Sequence, residues 1–235
     1  MSAGPKGVMV AVAEHLTEVR ERVAAAARST GREPHAVTLV VVTKEVGLDG
    51  VRAALAAGAV DLGENRAQEL VTKAGTLARD EDAPTRALRW HFIGRLQRNK
   101  VRAAAPYVAL WQSIDRAELA VELGHRVSGA AVLVQVNVSG EAQKGGCSPD
   151  EAEALVDMCR AHGCLVEGLM TVPHAVGDPR PVFARLRRMT DDLHLRVCSM
   201  GMSGDFELAI AEGATMVRVG AAIFGPRPGR ADARG

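Results

Sequence analysis

Short β-rich apolar runs alternate with amphipathic helical stretches along nearly the whole 235-residue chain. The runs fall at 37–43, 59–62, 89–94, 108–113, 132–138, 166–171, 195–200 and 215–219. Between them lie apolar stripes at helical spacing: Leu70, Val71, Ala74, Leu77 and Ala78; Ala152, Leu155, Val156 and Cys159 after Pro149; Val182, Phe183, Leu186, Met189 and Leu193. Asp115 and Glu118 have the spacing of a capping box. Strands separated by helices join by parallel crossovers rather than hairpins. Eight such units predict an α/β fold, a (β/α)8 TIM barrel of slightly less than typical size. Val8, Val12, Leu16, Val19 and Val23 mark a further helix ahead of the first strand. An open doubly wound sheet is the alternative, but no G-x-G-x-x-G follows the first strand.

The length allows one large domain, read here as residues 1–235 with a polar tail from about 227. A net charge of +1 gives no global attraction to nucleic acid or anionic membrane. One Tyr, four Phe and two Trp are too few for a stacking platform on single strands. The clusters Arg95, Arg98, Lys100, Arg102 and Arg185, Arg187, Arg188 read as solvated helix faces. Cys147, Cys159, Cys164 and Cys198 form no C-x-x-C pair, and buried thiols are the expectation for Cys159 and Cys198. There is no signal-peptide pattern at the start and no apolar stretch near 20 residues, so a cytoplasmic protein is expected.

In a parallel barrel the reactive residues lie at the C-terminal ends of the strands. The first run ends in Lys44, one of only five lysines against 24 arginines. Burial disfavours the ammonium, and the neutral amine forms Schiff bases with aldehydes. A lysine that simply snorkels to the surface is the plainer alternative. Ser199, Gly201, Ser203 and Gly204 follow the seventh run, and Gly220-Ala221-Ala222 follow the eighth. Two such turns, with hydroxyls and open backbone amides, suit a phosphate at the position where barrels commonly hold one. Arg218 interrupts the last apolar run and needs an acceptor, from a structural ion pair or a ligand. A Schiff-base lysine, a phosphate site and a planar cation together suit pyridoxal 5′-phosphate, with Arg218 facing a ring nitrogen left unprotonated. Asn65 is placed to donate to the ring oxygen. Glu64 and Asn65 could also start the next helix. His91 reads either as a core histidine bonded to backbone or as a ring near the cofactor.

The segments V-V-T-K ending at Lys44, Leu62-Gly63-Glu64-Asn65, W-H-F-I-G with Leu96-Gln97-Arg98-Asn99-Lys100, Val136-Asn137-Val138-Ser139, Lys144-Gly145-Gly146, Gly168-Leu169-Met170, S-M-G-M-S and T-M-V-R-V-G-A-A-I-F-G run in order from about residue 40 to 225. Together they resemble the pyridoxal 5′-phosphate homeostasis protein family. The resemblance implies a fold like the N-terminal barrel of alanine racemase. It implies that Lys44 holds the cofactor as a Schiff base, that Ser199, Ser203 and Gly220 match the phosphate site, and that Arg218 partners the ring nitrogen. Lys144 matches a second family lysine suggested as a secondary attachment point. Val46 stands where many relatives carry another lysine, and Arg95 where many have proline.

Two functions remain open at this level. A carrier would hold the reactive aldehyde and release it to apo-enzymes, acting as a monomer and not as an enzyme. A racemase like alanine racemase needs an acid/base on each face of the substrate carbon, one of them a tyrosine from a second domain. Tyr107 is the only tyrosine and the chain ends soon after the eighth run, so the carrier is favoured. A Schiff-base aldolase of a sugar phosphate fits less well, because neither the sixth nor the seventh run carries a lysine.

Overall fold

The computed structural model describes residues 5–80, 87–141, 143–173 and 177–225; the polar tail expected from 227 lies outside them. In chain order come α1 (Pro5–Ser29), β1 (Thr38–Val42), α2 (Leu48–Ala56), β2 (Asp61–Glu64), α3 (Ala67–Leu77), β3 (Arg89–Phe92) and α4 (Val101–Ala104). There follow β4 (Val108–Ile114), α5 (Ala117–Arg126), β5 (Ala131–Gln135), α6 (Ala152–Ala161), β6 (Leu165–Met170) and α7 (Arg180–Asp192). The chain then forms β7 (Val197–Ser199), α8 (Phe206–Ala211), β8 (Met216–Val219) and α9 (Ala221–Phe224). The eight strands are parallel and close in sequence order, β8 pairing with β1 through Val40 opposite Arg218. The barrel reading holds and the open sheet does not.

The apolar residues divide into two shells. Val40, Leu110, Leu133, Met170 and Met216 supply one side chain each from five strands and fill the lumen. The larger cluster lies between strands and helices, with Trp111, Phe92 and Phe183 among its fully buried members. The expected leading helix exists and closes the seam of the barrel. Val12, Leu16, Val19, Val23 and Ala27 are buried on one face of α1, which packs on α2, α8 and α9. Four large side chains buried at roughly 1.5–3 kcal/mol each make this a substantial contribution. Arg20 fastens α1 to the carbonyls of Ala57 and Gly58 at 2.7 and 2.6 Å.

Two local expectations need correction. The capping box forms not at Asp115, which pairs with Arg116, but at Ser148 and Glu151. There Glu151 Oε2 accepts from both the Ser148 amide (2.9 Å) and hydroxyl (2.7 Å) ahead of α6. The second strand begins two residues after the start of its apolar run. The Ala59 amide instead donates to the Ala54 carbonyl and completes the exit turn of α2. All four cysteines are buried, and burial pushes the thiols of Cys147 and Cys159 up to about 12 and that of Cys198 to about 11.

Candidate functional site

Lys44 lies in the turn that leaves β1, half-buried, two residues beyond Val42 on the spacing of one strand face. That turn is bracketed. Thr43 Oγ1 donates to Glu64 Oε1 at 2.7 Å, and Lys73 Nζ donates to the Thr43 carbonyl at 2.7 Å. On the far side of Lys44, the Glu45 amide donates to Glu69 Oε1 at 2.9 Å. Glu45 has φ 64°, a left-handed conformation that costs a β-carbon-bearing residue about 1–2 kcal/mol. Lys73 joins the two halves, at 2.6 Å from Glu64 Oε1 and 2.7 Å from Glu69 Oε1. It is 5% exposed and Glu64 is fully buried. Burial pushes the Glu64 carboxyl above its usual value, against the hydrogen bonds from Lys73 and Thr43.

Glu64 is therefore part of the frame of the Lys44 turn through Oε1, and it does not cap α3. Asn65 does not cap α3 either, since Arg66 occupies that position. Asn65 Oδ1 is buried and has no hydrogen-bond partner among the described residues. Beside it a concavity of about 220 Å³ is lined by Arg66, Arg95, Gln97 and Lys100. Arg95 is exposed, as expected, but it lies in the loop after β3 beside this hollow and not on a helix.

Across the mouth, Ser203 Oγ accepts from the amides of Gly220 (3.2 Å) and Ala222 (3.3 Å), so the two turns expected to hold phosphate meet at one hydroxyl. A β-carbon built at Gly220 would sit 2.9 Å from the Val42 carbonyl oxygen, which ties this turn to the end of β1 and so to Lys44. Gly201 has φ 90°, and a β-carbon there would meet that of Ala209 at 2.6 Å. Ser199 is placed differently. Its fully buried hydroxyl accepts from Arg218 at 2.6 Å and donates to Gln112 Oε1 at 2.7 Å, inside the lumen and away from those amides. Arg218 also donates to the Thr171 carbonyl at 2.7 Å. Desolvation lowers its pKa to about 10, with the Asp205 carboxylate working the other way, and it stays cationic near neutrality.

His91 is a core histidine, 3% exposed, but it is not bonded to backbone. Its partners are side chains, Asp61 Oδ1 at 2.9 Å and Gln112 Nε2 at 2.8 Å. It lines a cavity of about 290 Å³ with Thr38, Asp61, Arg89 and Val197, at the strand starts and so opposite Lys44. Lys144 is held by Glu141 Oε1 at 2.7 Å and the Pro173 carbonyl, between the loops after β5 and β6. Among the described residues no group of three or more His, Cys, Asp or Glu is placed to hold a metal, and no helix is long and apolar enough to cross a membrane.

Lys73 is the residue that sequence reasoning passed over. The signal was present: a lysine inside the buried stripe Leu70, Ala74, Leu77 of an amphipathic helix needs a buried acceptor.

Residues 15–228 match the family model for the alanine racemase N-terminal domain. A pyridoxal phosphate homeostasis protein of Pseudomonas aeruginosa is 42% identical over 229 residues, covering 93% of this chain and 97% of the relative. The structure of PipY from Synechococcus elongatus with PLP bound superposes with a TM-score of 0.74 at 30% identity, covering 91% of this chain and 100% of that one. Alanine racemase of Corynebacterium glutamicum shares the fold at 18% identity and a TM-score of 0.64, this chain covering 63% of its length. The chain belongs to the pyridoxal phosphate homeostasis protein family, built on the barrel of the alanine racemase N-terminal domain.

Proposed function

We propose that this chain binds pyridoxal 5′-phosphate at the C-terminal mouth of the barrel and serves as a carrier that supplies it to apo-enzymes. The observation that carries the reading is the meeting, at the ends of the paired strands β1 and β8, of the Lys44 turn, the Gly220 and Ala222 amides, and the buried Arg218. When bound, the cofactor supplies an aldehyde that condenses with a lysine amine. Lys44 is the residue for that attachment. The amides now on Ser203 Oγ, with that hydroxyl, hold the phosphate; the bare Gly220 lets the turn that carries them close against Val42. Arg218 has used two of its five N–H donors on Ser199 and Thr171, and a remaining one serves the ring nitrogen. Asn65, whose buried Oδ1 has no partner among the described residues, serves the ring oxygen once its amide is turned to present the NH₂ there. Ser199 contributes through Arg218.

A racemase is the second reading, and the position of Tyr107 disfavours it. A β-carbon at Gly75, on the outer helix α3, would lie 3.3 Å from the Tyr107 hydroxyl, so that hydroxyl stays outside the barrel wall. The chain's one tyrosine therefore cannot protonate a substrate carbon at the mouth. A guanidinium on the ring nitrogen also withdraws electrons less than a protonated ring would.

The test is to load the full chain with PLP, remove free cofactor, and mix it with the apo form of a PLP-dependent enzyme. Recovery of that enzyme's activity in the presence of a scavenger for free PLP, with no interconversion of D- and L-alanine, is expected. Interconversion well above the rate given by free PLP, or no transfer at all, would overturn the carrier reading.

A further inference from the structure

We infer that Gln112, on β4 in the middle of the barrel, is a positioning residue for Arg218, acting through Ser199. The inference rests on the reading that Arg218 faces the ring nitrogen of the cofactor.

A single hydrogen-bonded series crosses the lumen. Arg218 donates to Ser199 Oγ (2.6 Å), Ser199 to Gln112 Oε1 (2.7 Å), Gln112 Nε2 to His91 Nδ1 (2.8 Å), and His91 Nε2 to Asp61 Oδ1 (2.9 Å). Gln112 Nε2 is always a donor, so His91 Nδ1 must accept and its ring proton lies on Nε2. Every donor therefore points the same way, from the arginine at the mouth to a carboxylate at the base. Asp61 is fixed in turn by both arms of Arg89, at 2.7 and 2.6 Å. Bonds aligned in one direction polarise one another, and the series joins a cation to an anion through three neutral groups.

The burial shows what this arrangement is for. Gln112 and Ser199 are fully buried, His91 is 3% exposed and Arg218 4%. Arg218 makes no ion pair among the described residues; Asp205, its electrostatic neighbour, is engaged by the Met202 amide at 2.6 Å. Leu110 and Leu133 fill the same lumen, so apolar packing was available there. A buried polar series is more costly than such packing unless its orientation matters. Gln112 is the central link: its Oε1 accepts from Ser199 and its Nε2 donates to His91, and so it joins the two halves of the series. Without it Ser199 has no acceptor in the series, and the hydroxyl that anchors one arm of the guanidinium is no longer held in orientation.

The experiment measures equilibrium dissociation constants of the full chain for PLP and for its 1-deaza analogue, in which carbon replaces the ring nitrogen. Wild type, Gln112→Met, Gln112→Asn and Arg218→Met are compared, with the thermal midpoint of each unliganded protein. Wild type is expected to prefer PLP, and Gln112→Met to reduce that preference about tenfold by weakening PLP alone. If Gln112→Met does not fold, Gln112→Asn, one carbon short, is expected to show the same loss. Equal weakening of both ligands, or an unchanged preference, would make Gln112 merely structural and overturn the inference. If Arg218→Met keeps the wild-type preference, or wild type has none, the parent reading of Arg218 fails instead. Loss in Arg218→Met with none in either Gln112 variant removes the inference alone.

Discussion

Lys44 and Lys73 are two of five lysines, 29 residues apart in sequence, and they differ in burial. Lys44 is half-buried at the mouth, whereas Lys73 is buried with two carboxylates and a carbonyl around its ammonium. Removing one member of a buried pair leaves the other charge uncompensated, so Lys73→Met is expected to destabilise the fold by about 3–5 kcal/mol in urea denaturation. Lys44→Met is expected to change stability by less than about 1 kcal/mol. Equal effects would mean that the bracket around Lys44 is not held by Lys73. At the phosphate turns, Ser203→Ala is expected to weaken binding of PLP about tenfold and leave pyridoxal, which lacks the phosphate, unaffected. A titration with both ligands decides it; equal losses would remove Ser203 from the phosphate site. Lys44, Ser203, Arg218 and Gly220 were legible because each is chemically out of place at a strand end. Gln112 was not, because its meaning depends on which residue faces it across the lumen; Lys73 stands out inside an apolar stripe, but the partners it meets behind the sheet do not show in the sequence.

Elements were legible where burial on both faces makes a strand continuously apolar, as in Thr38–Val42 and Ala131–Gln135. They were least legible where a strand carries function. Asp61, Gly63 and Glu64 make β2 polar and small, so the apolar run before it drew the boundary too early. Asp61 binds His91, Gly63 leaves space beside Val40 and Ile93, and Glu64 frames the Lys44 turn. The turn after β8 offers a direct test at this scale. Gly220 has φ −130°, outside the left-handed region, so the obstacle to alanine is the approach to Val42, 2.9 Å from its carbonyl oxygen and 3.2 Å from its β-carbon. Gly220→Ala is expected to cost about 1–3 kcal/mol in stability, because a backbone carbonyl must shift, and to weaken PLP at least tenfold as the β1 and β8 ends are pushed apart. A large loss of stability with affinity retained would show that the glycine serves the fold alone.

At the scale of the molecule, the count of eight alternating units was enough for the barrel, and the leading stripe of valines and Leu16 for the helix that seals its seam. The polar series through the lumen was not, since alternation tells which face a residue takes and not whom it meets. Its anchor has a pH signature. Burial works to raise the Asp61 carboxyl, but hydrogen bonds from His91 and then Arg89 outweigh this and hold it below the usual carboxylate range. A depressed folded value means that the ionised form favours folding. The contribution is complete above the ordinary aspartate value of about 4 and is lost as pH falls through the lower folded value. The stability gap between wild type and Asp61→Asn should therefore be constant from pH 7 to 5 and close below pH 4. A gap that persists unchanged into acid would contradict the coupling.

The central claim is that one mouth of this barrel holds pyridoxal 5′-phosphate through Lys44. The most direct measurement is the absorbance spectrum of the full chain titrated with PLP, before and after borohydride, with peptide mapping of wild type and Lys44→Ala. The account requires a visible band in wild type, fixed by reduction onto Lys44 and absent from the variant. No band with excess cofactor, or reduction onto Lys144 with Lys44 unmodified, would contradict it.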